Sequence, residues 1–159
     1  MNWAVALDFA ALFFAGILAG MEIVIHYGLR KPAEVLDDKS QLQLRQALVL
    51  RLRVLVPALF LPTTLLGLAV TILGGLTPGV WWRCAAMGAL LAWIAIRVVG
   101  TVPMNSATVD WDPNAPPRDW KAQIDRAERF HVVGVWAAVL AFAFLLAALA
   151  FQLAASCTA

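Results

Sequence analysis

The chain has 159 residues, of which 62% are hydrophobic and 14% charged, with a mean hydropathy of +0.80 and a formal net charge of +2. A soluble domain is about half apolar and about a quarter charged, so this composition excludes an ordinary water-soluble globule. The apolar excess lies in long runs, which indicates one integral membrane domain over 1–159. The small charge and the lack of a basic–aromatic stripe exclude a nucleic-acid partner and leave the lipid bilayer as the primary one.

Residues 3–29 form the first apolar stretch. Met1-Asn2-Trp3 brings no positive charge and Asp8 interrupts the run, so it reads as a retained helix rather than a signal peptide. Gly16 and Gly20 make a small-xxx-small face suited to close helix approach, within the bundle or in a homo-oligomer. Arg30-Lys31-Pro32 ends the span, and Asp38 or Ser40 is placed to cap the next.

A second helix is expected over 41–74. Its first part, Gln41 to Arg53, is amphipathic and should project from the bilayer; Pro57 or Pro62 should bend the apolar remainder. Arg51 and Arg53 read as headgroup anchors. Gly74-Gly75 and Thr77-Pro78-Gly79 predict a turn, and the third span follows over 80–101. A polar loop is expected from Pro103 to Arg118, then a fourth span over 118–155. Trp81, Trp82, Trp111 and Trp120 suit the membrane interface, and Trp93 and Trp136 suit packing. The fold class is therefore all-α, a membrane four-helix bundle.

Eleven of the twelve Lys and Arg residues fall on the side of the 1–2 and 3–4 connections, and only Arg83 falls on the other. The positive-inside rule puts those connections in the cytoplasm and both termini on the non-cytoplasmic side of an inner (plasma) membrane. Cys84 and Cys157 then lie near the outer face, as a disulfide or as two separate thiols.

This topology brings both histidines of the chain to one level. Glu22 precedes His26 by four residues and Glu128 precedes His131 by three, so each pair shares a helix face. If spans one and four pack together, His26 meets Glu128 and Glu22 meets His131. Arg97 and Asn105 end the third span at the same level. Ionisable groups at membrane depth usually mark function. Three uses fit. Glu22, His26 and His131 form a two-histidine, one-carboxylate set for a transition metal such as iron or copper. His26 and His131 are alternatively two axial ligands for haem, in an electron carrier or accessory subunit. Without any cofactor, His131 serves as a base oriented by a glutamate.

A resemblance covers nearly the whole chain. Gly20-x-Glu22-x-x-x-His26, Val102-Pro103-Met104-Asn105, Trp111-Asp112-Pro113, Pro116-Pro117, Asp119-Trp120 and Arg126-Ala127-Glu128-Arg129-Phe130-His131 resemble the anthrone oxygenase-like family of small membrane proteins. Two positions depart from its pattern. Ala127 stands where a tryptophan follows the arginine, and Gly134 where an arginine often follows the histidine. The resemblance implies an oxidoreductase, a monooxygenase that oxidises a small hydrophobic aromatic substrate with O₂. His131, Glu128 and Asn105 are then the expected catalytic residues, Asn105 as donor to an enolate oxygen. Arg97 and Trp111 are expected to contact substrate.

Overall fold

The computed structural model describes residues 3–157, with the Lys31 side chain left out. Four helices long and apolar enough to cross a membrane account for it: α1 (Trp3–Leu29), α2 (Asp38–Gly74), α3 (Val80–Val109) and α4 (Trp120–Cys157). α1 packs on α2 and α4, and α3 packs on α4 and α2, so the helices form a closed up-and-down ring. Phe9, Phe13, Leu61, Leu65, Ile72, Leu91, Val133 and Leu140 face outward, as lipid contact requires. The protein is a multi-pass helical membrane protein.

The interior depends on small side chains that let the helices close. Ala15, Ala19, Ala86, Ala137, Ala138 and Ala141 are buried, with Leu18, Leu90 and Trp93 filling the space between them. In lipid, packing of this kind rather than water exclusion holds helices together. Trp93 is 1% exposed and stacks on Phe60 at 4.7 Å between ring centroids. Trp136 is exposed and faces outward instead of packing. Trp120 is buried against the bundle. Gly16 meets the Phe142 ring of α4, whereas Gly20 lies open at the surface, so the two glycines do not form one contact face.

The helix ends correct several boundaries. α2 begins at Asp38 because Asp37, not Asp38 or Ser40, is its N-cap; the Asp37 carboxylate accepts from the Ser40 N–H at 3.1 Å. That hydrogen bond holds the Asp37 carboxyl below the usual carboxylate range. α2 runs unbroken past Pro57 and Pro62, and the Thr63 hydroxyl donates to the Leu59 carbonyl there. α3 continues to Val109, eight residues of helix beyond the predicted end, through the stretch read as a loop. Gln46 of α2 explains the extension: its Nε2 donates to the carbonyls of Thr108 at 3.0 Å and Trp111 at 2.8 Å. Gly79 has φ +93° and sits so close to the Ala148 backbone that a Cβ would overlap its carbonyl oxygen.

The end of the bundle farthest from the histidines holds its own buried charge. Arg83, the one Lys or Arg that the sequence count leaves on the other side, is 1% exposed. Its guanidinium donates to the Thr77 hydroxyl at 3.0 Å and to the Gln152 amide oxygen, with Asp8 close enough for charge interaction. Asp8 is thereby accounted for as a member of this cluster. Cys84 and Cys157 are both exposed free thiols, so no disulfide joins them.

Candidate functional site

Two local departures from α-helix build the site. α1 widens into π-helical turns over Val24–Leu29, and α3 does so over Arg97–Thr101. Such turns insert a residue, re-aim the following side chains and recur at functional sites. His26 lies within the first and Arg97 opens the second. The widened α3 still fits against α4 because of Gly100, where any Cβ would collide with the Phe130 ring.

Glu22 is fully buried and is paired with Arg97, whose Nη2 donates to Oε2. The other guanidinium arm, Nη1, lies 2.6 Å from His131 Nδ1. His131 Nδ1 also lies 3.9 Å from Glu22 Oε2. The Arg97 guanidinium stands 5.3 Å from the Trp93 ring centre, and Gly134 leaves room beside its Nε. An arginine can only donate, so His131 Nδ1 must accept. His131 is therefore neutral, with its proton on Nε2.

Glu128 is the second carboxylate. It accepts from Arg45 Nη1 at 3.2 Å and lies 3.5 Å from His26 Nδ1 and 3.9 Å from Arg30 Nη1. Arg45 Nη2 donates to Asn105 Oδ1 at 3.3 Å, which leaves the Asn105 amide N–H groups as the donors on that side chain. Arg30 is shared with Asp125 at 3.0 Å. The imidazoles of His26 and His131 are 5.4 Å apart between ring centres.

These groups form the polar end of a cavity of about 830 Å³ between all four helices. The rest of the lining is largely apolar, including Ile25, Leu48, Leu52, Phe60, Trp93 and Ile94, with Arg30, Glu34, Arg53, Lys121 and Asp125 also on the wall. Glu22, Arg45, Arg97, Thr101, Asn105, Glu128 and His131 line it; His26 does not, and stands behind Glu128 and His131. Trp111, expected to touch substrate, is not brought to the cavity; it is half-buried in the 3–4 connection.

Arg30, Arg45 and Thr101 were not singled out by the sequence as site residues. Arg45 had a signal. It lies three residues after Leu42 and four before Val49, both buried, and so falls on the inward stripe of α2. Thr101 had none beyond its place in the π-helical turn, which no pattern announced.

Among the described residues, one ligand atom each from His26, Glu128 and His131 lie within 4.8 Å of one another. The carboxylate that completes this trio is Glu128 rather than Glu22, which Arg97 holds. The trio nevertheless fits a cation poorly. A metal-bound imidazole normally donates its second N–H to a carboxylate or carbonyl, whereas His131 receives a hydrogen bond from an arginine. Arg45 and Arg97 already balance Glu128 and Glu22, so a dication would bring uncompensated charge into a low-dielectric site. Haem fits no better, because the cavity reaches only one of the two imidazoles.

Comparison with known protein families, with characterised proteins and with solved structures yields no match. The fold and site together define a multi-pass four-helix membrane protein with a buried histidine–carboxylate–arginine cluster facing a largely apolar cavity.

Proposed function

We propose that the protein is a cofactor-independent oxygenase of an inner membrane, acting on a flat, apolar aromatic ketone of the anthrone type. The observation that carries this reading is the placement of Glu128, His131, Asn105 and Arg97 on the wall of a largely apolar cavity of about 830 Å³. That volume lies within the usual range of roughly 300–1,000 Å³ for small-molecule sites. The sequence resemblance to the anthrone oxygenase-like family supplies the reaction class.

An anthrone carries an acidic CH₂ opposite a ring carbonyl. Removing one proton leaves an enolate whose charge sits largely on the carbonyl oxygen. Preorganised N–H donors in a dry site stabilise that oxygen far better than water does. His131, held with its proton on Nε2 by Arg97, meets the substrate as such a donor rather than as the base. Asn105, turned by Arg45, supplies the second. The proton goes to Glu128, with His26 3.5 Å behind it as the next acceptor. The enolate carbon then adds O₂, and the resulting substrate hydroperoxide loses water to leave the quinone. The balance is CH₂ + O₂ → C=O + H₂O, with the substrate as the only reductant.

The test is O₂ uptake and quinone formation by purified protein in lipid nanodiscs, with metal content measured on the same sample. Turnover by metal-free protein, lost in His131→Phe and Asn105→Leu, is the expected result. No uptake above empty nanodiscs with any anthrone, or activity that tracks bound iron or copper, would overturn the reading.

A further inference from the structure

Gln46, Arg53 and Phe60 lie seven residues apart on α2. Two helical turns return a side chain to within about 20° of its starting direction, so the three share one stripe. Both ends of that stripe tie α2 to α3. Gln46 Nε2 donates to the Thr108 and Trp111 carbonyls, and the Phe60 ring stacks on Trp93. Arg53, midway between them, is exposed, borders the cavity and makes no hydrogen bond or ion pair with any described residue. The helices are thus joined at the two ends of a stretch of roughly 21 Å and parted between. Pro57 of α2 and Val102 of α3 border the cavity at this gap and are exposed as well. Both helices are irregular here. Pro57 has no N–H to give the Arg53 carbonyl, and α3 is π-helical over Arg97–Thr101.

The outer surface around the gap is apolar, with Val54, Leu61, Val98 and Val99 all facing outward. The apolar run of α2 starts at Val54, next to Arg53, so the gap lies where hydrocarbon meets headgroups and Arg53 snorkels out of the lipid. The other approach to the cavity, between the charged helix ends, is crossed by the ion pairs Arg30–Asp125 at 3.0 Å and Lys121–Asp38 at 2.7 Å. Among the described residues no ion pair spans the gap between α2 and α3.

We propose that this gap is a lateral portal, through which an uncharged, flat aromatic ligand dissolved in the bilayer enters and leaves the cavity between Arg53 and Pro57 of α2 and Val102 of α3. This deepens the reading above by naming the phase that delivers the substrate, and it rests on that reading only for the ligand's apolar aromatic character. Pro57 and Val102 then set the width of what can pass.

Entry is read without turnover, by labelling a thiol inside the cavity of the full-length protein in nanodiscs. The reporter is Ile25→Cys in a Cys84→Ser/Cys157→Ser background, because Ile25 borders the cavity from α1, the helix diagonal to α3 in the ring. Pyrene maleimide is delivered in the bilayer, and a sulfonated maleimide stays in the water. The reporter is expected to react with the first and to be spared by the second. Pro57→Trp and Val102→Trp place an indole in the gap and should each slow pyrene labelling by at least about tenfold, a barrier increase of about 1.4 kcal/mol. Lys121→Trp, at the charged end, should leave the rate unchanged. Thermal melts verify that the variants are folded, and Val102→Phe is the smaller plug if either tryptophan is not tolerated. Unslowed pyrene labelling in the plugged proteins overturns the proposal. So does a sulfonated reagent that labels the reporter as fast as the pyrene one, or a reporter that neither reagent reaches. Labelling slowed as expected without any O₂ uptake defeats the oxygenase reading alone, and O₂ uptake with unslowed labelling defeats the portal alone.

Discussion

Replacing Arg97 by methionine keeps most of the side chain's volume and deletes the guanidinium that holds Glu22 and His131 together. Glu22 is 0% exposed in its side chain and Arg97 11%, so the pair lies well inside the range where charges must be compensated. Removing one partner of a buried ion pair costs about 3–5 kcal/mol, because the other charge is left stranded. For a chain of this size, 1 kcal/mol corresponds to roughly 2–4 °C in Tm, so Arg97→Met should melt roughly 6–20 °C lower. The double variant Glu22→Gln/Arg97→Met removes both charges and should recover much of that loss. The pair then shows a coupling of up to about 3 kcal/mol, the usual ceiling for residues in direct contact. Thermal unfolding of the four proteins in one lipid system, completed by Glu22→Gln and the parent, measures the cycle. Additive losses in the double variant, or an Arg97→Met protein as stable as the parent, would refute the assignment of Glu22 and Arg97 as a buried pair.

Gly100→Ala should drive α3 and α4 apart, since the added Cβ overlaps Phe130. Overpacking of this kind costs about 1–3 kcal/mol, and pairing it with Phe130→Ala should restore part of the loss in the same melting assay. Sidedness is open to chemical labelling, because Cys84 and Cys157 are both exposed. If the positive-inside count is right, both thiols should react with a membrane-impermeant maleimide on intact spheroplasts, and neither in sealed inverted vesicles. The opposite pattern would invert the topology.

Much of the bundle is already written along the chain. Runs such as 135–150 are too apolar for any solvent but lipid, and backbone groups in lipid must be satisfied within a helix. Four such runs with short polar connections leave few topologies besides an up-and-down bundle. The local spacing of Glu22 with His26 and of Glu128 with His131 is also one-dimensional information, since residues three or four apart share a helix face. The helix extension through Val109 was not legible, because its cause is a distant side chain: Gln46 ties the end of α3 to α2.

Which carboxylate serves which imidazole is a different kind of fact. Arg97 comes from α3 and Arg45 from α2, and each is far in sequence from the glutamate it holds. The first takes Glu22 out of the donor set and fixes the His131 proton on Nε2, and the second turns Asn105. Arg83 makes the same point at the other end, where the cation that charge counting assigns only to a side is buried against Thr77 and Gln152. Hydropathy and periodicity depend on near neighbours, so the sequence alone determined the membrane, the four spans and the faces carrying polar groups. The protonation state of His131 and the pairing of each carboxylate depend on charges brought within 4 Å from separate helices, and only their packing decided those.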